Sequence, residues 1–236
     1  MTPDRGPTSI RFTGGLLVTQ DPDRRVQRGD LEVRDGRIVS VGASTGEAVE
    51  ETVDAREFAI VPGFVNTHGH VAMTLLRGIA DDRDLGAFLE RLFALDARRT
   101  ESDLGAGAAL GIAEMLLGGT TSFLDLYYGE DTVAGQVSAL GIRGFLGWAV
   151  LDPDKTTQKG RPVDNAREFI GRWSKDPLVS PLVAPQGVYV CNEETWLAAR
   201  DLARSYGTLL HYHLAETRRE VHEHERQTGR RPVQWL

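Results

Sequence analysis

The chain has 236 residues, of which 41% are hydrophobic and 26% charged, and its formal net charge is −7. That size and composition describe an ordinary globular protein of one large or two modest domains, and the acidic balance excludes a basic nucleic-acid-binding face. A lone cysteine, Cys191, rules out an internal disulfide and points to a reducing cytoplasm. The opening "MTPDRGPTSIRF" has no apolar signal core, and no run approaches the ~18 apolar residues of a membrane span.

In chain order, the first sixty residues read as β structure. "GGLLVTQDPDRR" is a short apolar strand running into a Pro-Asp turn, and "DLEVRDGRIVSVG" is two alternating runs joined at Asp35-Gly36. An Asp-Gly pair between such runs predicts a tight hairpin, because a type I′ turn needs positive φ at both central positions. "GASTGEAVEETVDAREF" reads as a polar connection.

From residue 58 strands and helices alternate. "FAIVPGFVNTH" is an apolar strand, and "DLGAFLERLFALDARR" and "DLGAGAALGIAEMLLGG" have helical spacing. "TTSFLDLYY", "RGFLGWAV" and "PLVSPLVAPQG" are strands, each followed by a helical run, and "TLLHYHLAE" is a fifth. "RREVHEHERQTG" is a last helix, and "RRPVQWL" reads as the lead-in to a sixth strand. Repeated βα units imply parallel strands with right-handed crossovers, in an open sheet or a barrel. The glycine run "GAGAALG" lies inside a helical pattern with no strand entering it, so it reads as close packing against the sheet rather than a dinucleotide fingerprint.

Four of the six histidines fall in two short motifs, "NTHGH" and "HYHLAET". Residues i and i+2 of a strand share a face, so His68 projects with His70 and His211 with His213, both pairs at strand C-termini where parallel βα folds collect their chemistry. Converging neutral imidazoles are a transition-metal site, with zinc or iron as occupant. His222 and His224 sit about 200° apart on one helix and cannot share an ion; they read as solvent-facing. Cys191 reads as a bystander.

"PGFVNTHGHVAMTLLRG" together with "HYHLAET" resembles the amidohydrolase superfamily, in its cytoplasmic deaminase and chlorohydrolase branch. "TQDPDRRVQRGDLEVRDGRIVSVG" is similar to that branch's N-terminal β-sandwich segment, and "GGTTSFLDLYY" to its second barrel strand. The resemblance implies an α/β fold: a partial (β/α)8 TIM barrel of about five βα units over residues 62–236, after a small β-sandwich segment over residues 1–61. It implies that His68, His70 and His213 bind one divalent metal, zinc first and iron second, and that Glu216 shuttles protons between a metal-activated water, the ring nitrogen and the leaving group. Asp96 and Gln186, with Glu216, fall where the branch contacts substrate, although Gln186 replaces a histidine there and Asp96 a glutamate. Only three lysines are present and Lys175 precedes the fourth barrel strand, so a mononuclear site is expected.

The implied activity is a deaminase of a purine-like or other nitrogen heteroaromatic small molecule, with no nucleic-acid or membrane partner and with homo-oligomerisation suggested by the family. Hydrolytic dechlorination or cyclic-amide hydrolysis on the same scaffold, or a non-catalytic fragment, are the rivals. The 175 residues after position 61 fall short of the ~250 of a complete barrel, placing the family's sixth-strand His and eighth-strand Asp beyond Leu236. On that reading the isolated chain is expected to be inactive and to self-associate through open strand edges.

Overall fold

The structure is a computed structural model that describes residues 7–236, so residues 1–6 of the predicted β segment lie outside the described residues. The chain divides into two compact units, Met1–Gly63 and Phe64–Leu236.

The first unit is built on β1 (Ser9–Val18), which pairs antiparallel with β2 (Val26–Arg34); β2 in turn pairs with β3 (Arg37–Gly42). Asp35 and Gly36 form the two-residue connection at φ 49° and 73°, the left-handed pair that a type I′ turn requires. The other side of β1 is shared: β4 (Glu51–Asp54) runs parallel to its first half and β5 (Ala59–Ile60) to its second. All five strands therefore join one sheet, and the two facing layers of a sandwich are not formed among the described residues. β4 lies inside the stretch read as a polar connection. Its sequence, ETVD, has no apolar alternation and is held by backbone pairing to a strand forty residues away. Glu32 is fully buried but satisfied, accepting from Arg11 Nε at 2.7 Å and from Ser44 Oγ and the Thr45 N–H at 2.8 Å.

The single strand expected over "FAIVPGFVNTH" is two. Pro62 has no N–H to continue a ladder; β5 ends before it in the first sheet, and β6 (Phe64–Gly69) begins the second unit. A short 3-10 segment (Val71–Leu76) and helices α1 (Leu85–Asp96) and α2 (Glu101–Leu117) follow β6. Then come β7 (Thr120–Tyr127), α3 (Glu130–Leu140), β8 (Arg143–Val150), α4 (Pro162–Trp173), β9 (Val179–Pro185) and α5 (Glu193–Tyr206). The four strands make a wholly parallel sheet in the order β6-β7-β8-β9. Their apolar sides are covered by helices: Phe123, Leu146, Val133, Val137, Phe169 and Ile112 form one cluster, and Val150, Val183, Ile170, Ala199 and Leu202 another. This burial of strands by helices is what the near-continuous hydrophobic runs of the strands require.

The fifth barrel strand is reduced to a single parallel bridge, Val183 to Leu210. The ladder starts regularly, with Val183 N donating to Leu209 O and His211 N to Val183 O. The next donor on β9 would be residue 185, a proline without an N–H, and His213 N turns to Gln186 O instead. Among the described residues the sheet does not close into a barrel.

Helix α6 (Arg218–Thr228) opens with a capping box between Thr217 and Glu220. The stretch "RRPVQWL" contains no strand; with Pro232 at its first turn it forms the short helix α7 (Pro232–Trp235). Trp235 folds back against α6, its ring 5.2 Å from that of His224. His224 is therefore buried, with Nδ1 3.2 Å from Thr228 Oγ1, whereas His222 is exposed as expected. A helical wheel of α6 alone does not contain the residue that covers it. No helix among the described residues is long and apolar enough to cross a membrane.

Gly107 and Gly111 of "GAGAALG" do serve close packing, but against the 3-10 segment after β6 rather than the sheet, while Gly105 faces Thr132 of α3. A Cβ on Gly107 would lie within van der Waals overlap of Ala72 O, and one on Gly111 would meet Val71 and Thr74. Gly107→Ala is expected to destabilise the protein by about 1–3 kcal/mol in urea denaturation, because a backbone oxygen must move. Gly135→Ala in α3, where a Cβ meets nothing within 4 Å, should be stabilising by about 0.5–1 kcal/mol. Equal effects at the two sites would reject this account of α2.

Candidate metal centre

His68 is the penultimate residue of β6, and His70 follows one residue past its end. His211 and His213 leave the bridge at Leu210 beside β9. One ligand nitrogen from each of His68, His70 and His213 lies within 4.8 Å of the others, and the ring centroids are 4.9 Å (68 to 70), 5.0 Å (68 to 213) and 5.2 Å (70 to 213) apart. His211 stands beside this trio: its Nε2 is 3.0 Å from His68 Nδ1, so it orients His68.

The hydrogen bonds of His70 and His213 decide their tautomers. His70 Nδ1 is 2.6 Å from Leu126 O, and His213 Nδ1 is 2.8 Å from Gln186 O. A carbonyl only accepts, so each Nδ1 carries the proton and each Nε2 keeps a bare lone pair. The two Nε2 atoms face one another at 3.3 Å. With no proton between them, facing lone pairs repel, and a cation in their midst turns repulsion into coordination. Burial, aided by the neighbouring imidazoles, pushes His70 down to about 4, and burial also lowers His68 and His211. Imidazoles whose rings are fixed by backbone carbonyls fit a borderline transition metal such as zinc.

Below the cluster, Asp125 is fully buried in β7 and its Oδ1 accepts the Val71 N–H at 2.7 Å, anchoring the residue after His70. Glu130 is equally buried, and burial raises the pKa of both carboxyls. The sequence carried a signal for this anchor: an aspartate inside the apolar run "FLDLYY" needs a partner once buried.

An apolar cavity opens beside the trio, walled by Phe88, Leu92 and Phe93 of α1 and by Tyr127, Tyr128 and Leu151. Glu216, Gln186 and Asp96 all line it together with His70 and His213. Glu216 is exposed, and the Tyr189 hydroxyl donates to its Oε2 at 3.3 Å. Ala215 just before it has φ 54°, an uncommon conformation for alanine. The buried Glu220 holds that turn, accepting from the Ala215 N–H at 3.1 Å and the Glu216 N–H at 2.7 Å. Gln186 contributes its carbonyl to His213 as well as its side chain to the wall. Asp96, at the end of α1, is buried and paired: Arg99 Nη1 donates to Oδ1 at 2.8 Å and the Tyr127 hydroxyl to Oδ2 at 2.5 Å. Lys175 is exposed in the turn after α4. Cys191 is buried, and burial pushes its thiol up to about 11, so it is unreactive.

Sequence reasoning missed Tyr189, Glu220, Arg99 and the two carbonyls. Carbonyls leave no trace in residue identity, and the other three act through contacts that only the folded chain creates.

His70 contributes a pH dependence to the metal-free protein. Its folded pKa, about 4, lies below the ordinary 6.5, so the unfolded chain binds the extra proton between those values. Its contribution to stability is complete above pH 6.5 and is lost as pH falls towards 4. In chelator, the urea midpoint of the native protein is expected to fall relative to that of His70→Asn as pH drops from 6.5 towards 4, a comparison that cancels the opposite contribution of buried Asp125, raised to about 7; identical pH slopes would show that His70 is not buried as described.

The amidohydrolase family pattern matches residues 59–234. The chain is 40% identical over 208 residues to a 5'-deoxyadenosine deaminase of Methanothrix thermoacetophila, covering 88% of this chain and 49% of that protein. It is 38% identical over 242 residues to a 5-methylthioadenosine/S-adenosylhomocysteine deaminase of Thermodesulfovibrio yellowstonii, covering 98% and 55%. Among solved structures, an adenosine deaminase from Xanthomonas campestris with bound zinc superposes with a TM-score of 0.89 at 31% identity, covering 96% of this chain and 54% of that one. The chain thus spans about half the length of these relatives. Matched over most of its residues, the chain belongs to the amidohydrolase family.

Proposed function

We propose that this chain carries the metal-holding half of a metal-dependent aminohydrolase acting on a purine-like or other nitrogen heteroaromatic amine. The observation that carries the reading is the pair of bare Nε2 atoms of His70 and His213 at 3.3 Å, opening onto an aromatic-walled cavity with Glu216 at its rim. The deaminase relatives support the reaction type. The likeness to the Xanthomonas enzyme supports reading the parallel sheet and the bridged segment at Leu210 as the first part of a (β/α)8 barrel, over residues 62–236, with residues 1–61 as a separate β segment.

His68, His70 and His213 are the proposed ligands of one divalent ion. Three neutral nitrogens favour zinc, which the Xanthomonas relative holds, with iron as the second choice. When bound, such an ion lowers the pKa of a coordinated water into the neutral range.

The remaining chemistry belongs to side chains. Hydrolytic deamination adds water to the amino-bearing ring carbon and expels ammonia, leaving a carbonyl. One proton must leave the water and one must reach the departing amine. Glu216 is the base and then the acid for that transfer, since its carboxylate is free except for the Tyr189 hydroxyl. Tyr189 holds it in place, and the turn at Ala215 aims it at the cavity. The Gln186 amide offers a donor and an acceptor to a ring edge, while Phe88, Phe93 and Tyr127 give the heterocycle aromatic walls. Asp96 contributes to the substrate-facing wall through its bond to Tyr127. A reducing cytoplasm, suggested by the single cysteine, and a homo-oligomer, suggested by the family, complete the proposal.

The test combines elemental analysis of the zinc-loaded chain with an ammonia-release assay on 5'-deoxyadenosine in a full-length or reconstituted enzyme. Glu216→Gln should retain zinc and lose kcat by ~10²-fold or more, whereas His70→Ala should lose stoichiometric zinc. Normal turnover in Glu216→Gln would assign proton transfer elsewhere, and full zinc retention in His70→Ala would remove the proposed ligand set.

A further inference from the structure

Just beyond His213, consecutive backbone N–H groups converge on one buried side chain. The Ala215 N–H donates to Glu220 Oε1 at 3.1 Å and the Glu216 N–H to Oε2 at 2.7 Å. The Thr217 N–H reaches Oε2 at 3.4 Å, and the Glu220 N–H returns a bond to Thr217 Oγ1 at 3.0 Å. The bonds between Thr217 and Glu220 form the capping box of α6. Of the bonds to the carboxylate, that capping bond is the longest; the two shorter ones reach back before the helix. Their N–H groups stand at either end of the φ and ψ rotations of Ala215, so one carboxylate bridging them fixes both. Ala215 has φ 54°, which alanine seldom adopts unless its surroundings impose it. Glu220 is 5% exposed, so water competes little for its oxygens.

Capping and bridging ask different things of the side chain. Capping needs one acceptor, which glutamine supplies as well as glutamate. Bridging Ala215 and Glu216 needs two acceptors on one carbon; an amide has one, and would turn its NH2 group towards an N–H. Glu216 follows Ala215 directly, so rotation there swings its carboxylate away from the cavity it lines and from the Tyr189 hydroxyl. We infer that Glu220 is a positioning residue for the proton transfer: its carboxylate grips the Ala215 and Glu216 N–H groups and so keeps the Glu216 side chain aimed at the cavity. The inference rests on the aminohydrolase reading.

Glu220→Gln separates the two tasks. In the zinc-loaded chain it should keep zinc and the exchange protection of the α6 amides, while amide hydrogen exchange at Ala215 or Glu216 quickens by roughly tenfold or more. In the full-length enzyme, with 5'-deoxyadenosine as substrate, kcat should fall by roughly tenfold or more while KM stays within about threefold of native. Thr217→Ala removes the capping hydroxyl but neither oxygen of Glu220. It should do the reverse, loosening the first turn of α6 and leaving kcat within about threefold of native. A folded, zinc-retaining Glu220→Gln with native kcat would overturn the inference, and so would unchanged exchange at both Ala215 and Glu216. A loss of kcat of roughly tenfold or more in Thr217→Ala would also overturn it, an arm that decides even if Glu220→Gln does not fold. Absence of ammonia release by the native full-length enzyme would instead reject the aminohydrolase reading and the catalytic part of this inference with it, even where exchange at Ala215 and Glu216 still depends on Glu220.

Discussion

The site depends on two hydrogen bonds from imidazole to backbone. Leu126 O at the end of β7 and Gln186 O just past β9 each take the Nδ1 proton of a histidine that arrives from another part of the chain. Because a carbonyl has no proton to give, the bonds fix the tautomer, the ring plane and the direction of the remaining lone pair together. Free rotation of either ring would scatter the lone pairs. The parallel sheet sets both carbonyls at the same end of the molecule, so the chemistry of the rings is inherited from the register of the strands. Pro185 contributes by what it lacks: with no N–H at that position, the ladder stops and the chain leaves the sheet in time to swing His213 towards Gln186.

Around this centre the protein buries several acids and handles each differently. Asp125 and Glu130 are both fully buried, which raises both carboxyls, and Asp125 anchors Val71. Asp96 is matched by Arg99 and Tyr127. Glu220 collects the backbone N–H groups of a strained turn at a helix N-terminus, where the macrodipole also favours a negative charge. Only Glu216 is left exposed and lightly bonded. That difference in environment separates acids that shape the site from the one free to move a proton.

Much of this was legible beforehand. The Asp35-Gly36 hairpin followed from the φ demands of its turn, and the alternation of strand and helix from hydrophobic period. Strand parity paired His68 with His70 and His211 with His213, and the family resemblance singled out His68, His70 and His213. Two of the failures share one cause: β4 is a polar tetrapeptide recruited by a distant strand, and His224 is buried by a tryptophan from another helix. The third, the strand read across Pro62, turns on a local residue, because proline has no N–H with which to continue the ladder.

The sequence by itself determined which residues have the chemistry: two i, i+2 histidine pairs at strand ends, an acid three residues later, and small residues where a helix packs closely. Period and parity are local properties of a covalent chain, and they survive without knowledge of the fold. The tertiary structure alone decided which nitrogen of each imidazole is free, which acids are silenced and which carboxylate faces the cavity. Those outcomes depend on carbonyls, guanidinium groups and burial supplied by segments distant in sequence, and a tautomer or a cancelled charge exists only once those partners are in place.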